Sequence, residues 1–138
     1  MTGVPADVAA EVAELLYAYG AAVDDRDLEG LSKLLTDDVK LTRPDGTREG
    51  RQAFLDYYGS VFAGPATMRH FATNVRATAD GDLLRATAYF QAMFFLPDLT
   101  RVVTGRYDDA LQRRPEGLRI THKRNIIEYT LELPPAKA

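Results

Sequence analysis

The sequence of 138 residues contains no cysteine and only two histidines, His70 and His122. The lack of cysteine excludes disulfides, zinc–thiolate sites and thiol nucleophiles. The two histidines lie 122 − 70 = 52 residues apart, a separation that gives no metal-ligand signature. No Gly-rich phosphate loop is present, and neither Ser32 nor Ser60 lies in a nucleophile elbow. We therefore expect neither a metal nor a cofactor.

The sequence also lacks a basic stripe and a long apolar run. Its 17 Lys and Arg residues are scattered against 20 Asp and Glu residues, which gives a net charge of −3. That balance argues against a nucleic-acid partner. No apolar run approaches the roughly 20 residues that a membrane-spanning helix needs, and the N-terminus lacks the basic region of a signal peptide. We expect a cytoplasmic protein with no membrane partner.

The first half of the chain is dominated by helical periodicity. Val12, Leu16 and Tyr19 belong to one apolar stripe, which predicts an amphipathic first helix. A side-chain oxygen at Asp27 is a candidate N-cap for a short second helix. The predicted elements here are helices from Pro5 to about Val23, from Asp27 to Leu35 and from Gly50 to Gly64, with a short strand over Val39–Thr42.

The second half of the chain is dominated by strands. Asp-Gly-Asp and two Pro-containing turn signals separate four long strands, Met68–Ala79, Leu83–Leu96, Arg101–Arg113 and Leu118–Leu133. Helices followed by antiparallel strands are typical of the α+β class. We expect a single domain over residues 1–138, with three N-terminal helices packed into a curved, mostly antiparallel sheet whose concave side encloses a pocket.

The strand predicted over Leu83–Leu96 is apolar on both of its faces. Phe90 and Phe94 share one face, and Met93 and Phe95 share the other. A sheet that is buried on both faces in so small a domain indicates a partner subunit. We therefore predict a homodimer that forms through the sheet.

Five segments, in this order and at this spacing, carry a family resemblance: YAYGAAVDDRDLEGLSKLLTDDV (17–39), GTREGRQAFLDYY (46–58), RHFATNVRATADGD (69–82), VTGRYDDAL (103–111) and GLRITHKR (117–124). Together with the helix-then-strand order, they resemble the SnoaL-like group of the NTF2-like superfamily, and its scytalone dehydratase-like branch in particular. The resemblance covers about residues 8 to 130 and implies a cone-shaped α+β fold. The superfamily contains dehydratases, isomerases, polyketide cyclases and non-catalytic binders, so the fold does not decide the function.

The resemblance also implies a pair of catalytic residues. In scytalone dehydratase-like enzymes, an aspartate near the end of the first helix orients a histidine on the first long strand, and Asp24 and His70 stand at the matching positions. The second catalytic histidine of those enzymes is replaced here by Phe95 and Leu96, and the tyrosine before the aspartate is replaced by Val23. These departures argue against scytalone as the substrate.

Asp24 and His70 are therefore the predicted catalytic residues. Asp24 ends a helix face of small, uncharged residues, whereas Asp25 is its solvent-facing neighbour. A carboxylate bound to one imidazole nitrogen fixes the tautomer, and the other nitrogen can then take or give a proton. The alternative is that Asp24 merely ends the helix at the surface and that His70 is a core residue with satisfied hydrogen bonds.

Seven further residues are candidates for binding the substrate, and each also has a purely structural explanation. Alternation with Leu118 and Ile120 predicts that His122 faces the core. Asn74 shares the face of His70 if the strand has no bulge, and Arg106 binds either an anionic group or a protein carboxylate. The full set of candidates is Tyr17, Phe54, Tyr58, Asn74, Phe90, Arg106 and His122.

These observations favour a cofactor-independent lyase, isomerase or cyclase of the dehydratase or polyketide cyclase type. Its ligand would be a small, hydrophobic, oxygenated metabolite, polyketide-like or aromatic, and its reaction would proceed by general acid–base catalysis in an enclosed pocket. The alternatives are a non-catalytic ligand-binding or accessory module with the same fold, and a structural subunit of a larger complex.

Overall fold

The computed structural model describes residues 2–138 and contains three helices and seven strands. The helices are α1 (Ala6–Asp24), α2 (Leu28–Ser32) and α3 (Arg51–Phe62). The strands are β1 (Thr2–Gly3), β2 (Leu35–Arg43), β3 (Gly46–Glu49), β4 (Thr67–Asp80), β5 (Leu83–Phe95), β6 (Thr100–Arg114) and β7 (Gly117–Leu133). The predicted α+β class is confirmed, and the four long strands lie within about two residues of their predicted bounds.

All seven strands form one curved, unclosed sheet in the order β1-β4-β5-β6-β7-β2-β3. Neighbouring strands pair in antiparallel fashion, except that β2 and β7 are parallel. Bulges interrupt the ladder of β4 with β5 and, twice, that of β6 with β7. Because a bulge bends a strand and increases its twist, these interruptions help the sheet to curve around the helices.

The first helix follows the predicted apolar stripe. Val12, Leu16, Tyr19 and Val23 are all buried in the core between the helices and the concave face of the sheet. The neighbouring small-residue face of α1 lies against β4, where a Cβ built on Gly20 would lie 3.6 Å from the Cβ of His70. This close packing places the end of α1 beside the start of β4.

The second helix is shorter than its leucine spacing predicts. Asp27 caps it as expected, because its side chain accepts a hydrogen bond from the backbone N–H of Gly30 at 2.9 Å. However, Leu35 already belongs to β2, and the backbone N–H of Ile120 donates to the carbonyl of Leu34 at 2.8 Å. Pairing with β7 therefore outweighs the helical periodicity here, and the predicted helix to Leu35 was wrong at its end.

The outer face of the sheet exposes several aromatic residues. The register aligns Phe71, Gln91, Thr104 and Tyr129 across β4 to β7, and both aromatic side chains in this row are about half exposed or more. Tyr89 on β5 is also exposed. The homodimer predicted from the sequence would use this face, and it stays a prediction. Among residues 2–138, no helix combines the length and the apolar character needed to cross a membrane.

Candidate functional site

The structure brings Asp24 and His70 into direct contact. One carboxylate oxygen of Asp24 lies 2.6 Å from Nδ1 of His70, and the other accepts the backbone N–H of His70 at 2.9 Å. Both side chains are largely buried, with 15% and 14% of their surfaces exposed. The end of α1 supplies the carboxylate and β4 supplies both nitrogens, so the contact depends on the packing of α1 against the sheet.

This contact defines the state of the imidazole ring. A carboxylate accepts hydrogen bonds only, so the proton of a neutral His70 resides on Nδ1 and leaves Nε2 with a free lone pair. Among residues 2–138, no hydrogen bond engages Nε2. The ring of His70 also meets the ring of Phe94 edge-on, with 5.9 Å between centroids. The arrangement holds one basic nitrogen in a fixed orientation.

His70 lines a cavity of about 120 Å³ between the helices and the concave face of the sheet. Apolar and aromatic side chains make up most of its wall, including Val23, Val61, Met68, Phe90, Phe94, Val103 and Ile127. A cavity of about 150 Å³ is enough for benzene in a well-studied example from another protein. The space in this conformation therefore suits a ligand of about one six-membered ring.

A second cavity, of about 330 Å³, is lined by Asp24 as well as by His70. Tyr17, Gly20 and Ala21 from α1 form one wall, and Phe71 and other residues of β4 form another. His70 therefore borders two spaces, whereas Asp24 lines only this one. The predicted grouping of Tyr17, Gly20 and Asp24 on one helix face agrees with this arrangement.

Three polar side chains meet at the inner wall of the first cavity. The hydroxyls of Tyr19 and Tyr58 are hydrogen-bonded to each other. Burial raises the pKa of both tyrosines, and hydrogen bonding with Asn125 offsets part of that rise. These hydroxyls therefore stay protonated at neutral pH and do not act as bases. Because one of them donates to the other, one O–H of the pair is left to donate to a ligand.

The Asn125 side chain supplies an unused acceptor. Its residue is 7% exposed, and its Oδ1 has no hydrogen-bond partner among residues 2–138. An unpaired buried polar atom costs free energy of about 1–3 kcal/mol. Because Asn125 lines the cavity, a ligand with a hydrogen-bond donor would satisfy it.

Arg43 is the one permanently charged side chain that lines this cavity. It belongs to the end of β2, and its guanidinium lies 4.9 Å from the centroid of the Tyr57 ring. No hydrogen bond or ion pair to a carboxylate is found for it among residues 2–138. The positive charge of Arg43 acts inside the cavity. It offsets part of the rise that burial causes in the pKa of Tyr58 and Tyr107.

A buried ion pair lies behind the cavity wall. Lys123 Nζ is 2.8 Å from Asp109 Oδ2, and neither side chain has any exposed surface. The ammonium lies 3.2 Å from the centroid of the Tyr107 ring, which itself stacks on Phe90 at 4.6 Å. Burial lowers the pKa of Lys123 to about 8 and raises the pKa of Asp109. This pair fixes the position of Tyr107 in the wall.

The structure places some predicted binding residues at the cavities. Tyr58 and Phe90 line the first cavity, and Tyr17 lines the second. Phe54 does not reach either of them. It is fully buried and packs against Tyr58, with 5.4 Å between ring centroids. Its role in the structure is therefore to support the wall.

Three other predicted residues lie outside both cavities. The strand that carries Asn74 has a bulge between Thr73 and Arg76, and Asn74 itself is exposed with a φ of +54°. The condition for its sharing the face of His70 is not met. Arg106 is also exposed, and its Nε lies 3.4 Å from the carboxylate of Glu128. This ion pair is the alternative that the sequence left open for Arg106.

His122 does not follow the predicted alternation. The bulge in β7 between Ile120 and His122 shifts the pattern, so Lys123 takes the core position. The ring of His122 instead lies 2.7 Å from the hydroxyl of Thr42, measured from Nε2. Burial is the main cause that lowers the pKa of His122. The prediction that it faces the core was wrong because alternation assumes an uninterrupted ladder.

The sequence reasoning missed Arg43, Asn125 and the pair of Lys123 with Asp109. Arg43 belongs to a strand predicted to end one residue earlier, at Thr42. Asn125 and Lys123 face inward only because of the bulge in β7. Tyr107 and Asp109 do alternate with the buried Leu111, and that was the one signal available for the acid.

The chain matches the family model described as the SnoaL-like domain over residues 6–124. Its curated relatives include three uncharacterised mycobacterial proteins, two from strains of Mycobacterium tuberculosis and one from Mycobacterium bovis. Each is 28% identical over 118 residues, which cover 82% of this chain and 80% of the relative.

Several solved structures have the same fold as this chain. A proposed aromatic ring hydroxylase from Novosphingobium aromaticivorans is 24% identical, with a TM-score of 0.82, and covers 94% of this chain and 95% of its own. A hexachlorocyclohexane dehydrochlorinase from Novosphingobium barchaimii is 20% identical (TM-score 0.80; 90% and 88% covered). A proposed scytalone dehydratase from N. aromaticivorans is 14% identical (TM-score 0.79; 91% and 90% covered). At these identities the likeness shows a shared fold.

Proposed function

Because the chain belongs to the SnoaL-like domain family, we propose that it is a cofactor-independent enzyme that moves a proton on a small ring compound. His70 is the general base or acid in this proposal, and Asp24 orients it. The reaction class is elimination, isomerisation or cyclisation, each of which begins with the loss of a proton from an acidic C–H. The observation that carries the proposal is the paired contact of both Asp24 oxygens with His70 at the cavity wall.

The chemistry follows from the hydrogen bonds of the imidazole. Asp24 holds the proton on Nδ1, so the lone pair of Nε2 is available to remove a proton from a ligand. The resulting imidazolium can then protonate a leaving group or another carbon of the same ligand, which completes an elimination or an isomerisation. A bound water could carry the proton between the ring and the ligand. One O–H of the Tyr19 and Tyr58 pair is left to donate, and a buried donor of this kind stabilises a developing oxyanion.

Elimination is the reaction that the comparisons favour. Two of the similar structures are named for the loss of a small molecule, HCl in a dehydrochlorinase and water in a dehydratase. An elimination needs one base and one departing group, and His70 can serve as that base. This supports a lyase, since His70 is the one histidine that lines the cavity.

The size of the cavity limits which ligands can bind in it. A space of about 120 Å³ accommodates roughly one six-membered ring. We therefore favour a monocyclic ligand over a larger polyketide-like one. The apolar wall binds the ring, and the few polar groups fix its orientation.

The experiment follows hydrogen exchange rather than a complete reaction. Cyclohexanone is a one-ring compound whose α-hydrogens exchange with D2O slowly at neutral pH, and ¹H NMR measures the loss of their signals. We expect the protein to accelerate this exchange and His70→Gln to abolish the acceleration. His122→Gln is the matched control, because it removes the other histidine, which lies outside both cavities.

The second candidate is a ligand-binding module without turnover. Replacement of the family's second catalytic histidine by Phe95 and Leu96 favours it. The Asp24 carboxylate is turned toward His70 rather than toward solvent, and this favours catalysis over binding alone. A wild-type protein that binds cyclohexanone but does not accelerate exchange would favour the binding module.

A further inference from the structure

The polar groups of the first cavity differ in charge from those of the second. Arg43 lines the first cavity, which has no Asp or Glu in its lining, whereas Asp24 lines the second. A guanidinium with no carboxylate partner is poorly compensated in a partly buried site, since burial of a charge costs free energy unless it is paired. The charge of the first cavity therefore favours a ligand that carries a negative charge.

The neighbouring carboxylates are held by residues other than Arg43. The carboxylate of Asp45 accepts two hydrogen bonds from Arg48, of 3.1 and 2.8 Å, and these are the main cause that lowers the pKa of Asp45. The charge of Arg43 contributes less to that lowering. Asp24 is held at both oxygens by His70. The guanidinium of Arg43 lies over the face of the Tyr57 ring, and among residues 2–138 it has no hydrogen bond or ion pair to a carboxylate.

Asn125 provides a second, independent indication of a polar ligand. Its side chain is buried, it lines the same cavity, and its Oδ1 has no partner among the described residues. An unpaired acceptor of this kind is satisfied by a hydroxyl or another donor on a ligand. A ligand that satisfies both residues therefore carries an acceptor for Arg43 and a donor for Asn125.

We propose that the first cavity binds its ligand as an anion, a monocyclic carboxylic acid whose carboxylate lies on Arg43 and whose hydroxyl donates to Asn125 Oδ1. Arg43 is the specificity-determining residue in this arrangement. A guanidinium matches a carboxylate in shape and can form two parallel hydrogen bonds to it. The proposal rests on the proposed function only in taking this cavity as the ligand site.

Binding of two probes of equal shape tests the charge preference. Benzoate and benzamide are single rings of nearly the same size, and they differ in that only benzoate is anionic at pH 7.5. NMR titration of ¹⁵N-labelled protein measures the dissociation constant of each. We expect wild type to bind benzoate about tenfold to a hundredfold more tightly, the range for hydrogen bonds to a charged group. Equal affinity for the two probes, or no binding of either, overturns the proposal.

Variants at two arginines assign the preference to one side chain. We expect Arg43→Gln to remove the preference for benzoate and to leave benzamide binding within about twofold. Arg76→Gln is the matched control, because Arg76 is exposed on β4 and does not line the cavity. An equal loss in both variants overturns the proposal, because it would indicate general surface charge. Arg43→Lys keeps the charge and covers the case in which Arg43→Gln does not fold.

The hydroxyl of the ligand has its own test. At least one of the three monohydroxybenzoates should bind more tightly than benzoate, and Asn125→Ala should remove that gain. If no isomer gains affinity, the role of Asn125 is overturned. These measurements do not depend on turnover, so they fail separately from the proposed function. Loss of exchange activity in His70→Gln without an anion preference in wild type would leave the proposed function intact and reject only this inference.

Discussion

Both carboxylate oxygens of Asp24 are bound to the same residue, His70, one at its ring Nδ1 and one at its backbone N–H. The backbone bond fixes the carboxylate, and the carboxylate in turn fixes the ring. The ring is thus bonded to a carboxylate that is itself held in place, which limits rotation of the imidazole. The pair is therefore a rigid unit that joins the end of α1 to β4.

Substitution of Asp24 by asparagine should reverse the tautomer of His70. The side-chain amide introduced by Asp24→Asn can donate to Nδ1, and the ring proton would then move to Nε2, which no longer acts as a base. We expect exchange activity to fall by about 10²- to 10⁴-fold and stability to fall by about 1–3 kcal/mol. ¹⁵N chemical shifts of the ring nitrogens report the tautomer directly.

Asp25→Asn is the matched control, because Asp25 is the neighbour of Asp24 in sequence and follows it at the end of α1. It should leave both the tautomer and the activity of the wild type unchanged. A wild-type His70 with its proton on Nε2 would contradict this account of the pair.

The residues that the structure places outside the cavities should be dispensable for activity. We expect Asn74→Gly, Arg106→Gln and His122→Gln each to stay within about twofold of wild type in the exchange assay. Asn74 already has the left-handed conformation that suits glycine, and Arg106 is exposed on the sheet. A tenfold loss of exchange activity in any of the three variants would show that the substituted residue contributes to the reaction.

His122 should instead affect stability at acidic pH. Its pKa is lowered below the ordinary 6.5, mainly by burial. The unfolded chain therefore binds a proton at a higher pH than the folded protein does, so His122 costs stability as the pH falls below about 6.5. Urea unfolding between pH 7 and 5 should show a smaller loss in His122→Gln than in wild type. An equal loss in both would contradict the assignment.

The fold was more predictable from the sequence than the site was. Turn residues and alternation located β4 to β7, because these signals are local. The end of α2 at Ser32 was not predictable in this way, since it depends on the pairing of Leu35 with Ile120 across the sheet. Asp24 and His70 were found through a family resemblance together with a helix-face argument. Arg43 and Asn125 were missed because bulges and strand ends decide which side chains face inward.

Removing one partner of the buried pair of Lys123 and Asp109 should destabilise the protein strongly, whereas replacing both by apolar residues should destabilise it far less. Removal of one partner leaves an unpaired buried charge, which costs about 3–5 kcal/mol. We expect Asp109→Leu or Lys123→Met alone to lose about that much, and the double variant to recover most of it. Calorimetric or urea unfolding of the three variants measures the coupling. Additive losses in the double variant would contradict the contact.

The pH dependence of Lys123 gives a second measurement on this pair. Its pKa is lowered from 10.5 to about 8 because it is buried. Between those values the unfolded chain binds the proton and the folded protein does not, so this group's contribution to stability rises with pH. Relative to the double variant, wild type should gain stability from pH 8 to 10. A flat difference between the two proteins would contradict the direction of the shift.

Gly105 should tolerate no side chain. A Cβ built there would lie 1.9 Å from the carbonyl oxygen of Ile126, next to a bulge in the pairing of β6 with β7. We expect Gly105→Ala to cost about 3 kcal/mol or more, or to prevent folding, because backbone must move to admit the methyl group. Gly59→Ala in α3 is the control, since its Cβ meets only Leu28 at 3.9 Å. That variant should be as stable as wild type or up to about 1 kcal/mol more stable.

In the proposed mechanism, His70 carries the proton chemistry of the first cavity. The decisive measurement is the exchange of the α-hydrogens of cyclohexanone in D2O, followed by ¹H NMR with wild type, His70→Gln and His122→Gln side by side. We expect wild type and His122→Gln to accelerate the exchange and His70→Gln to show the uncatalysed rate. Equal acceleration by His70→Gln and wild type would contradict it.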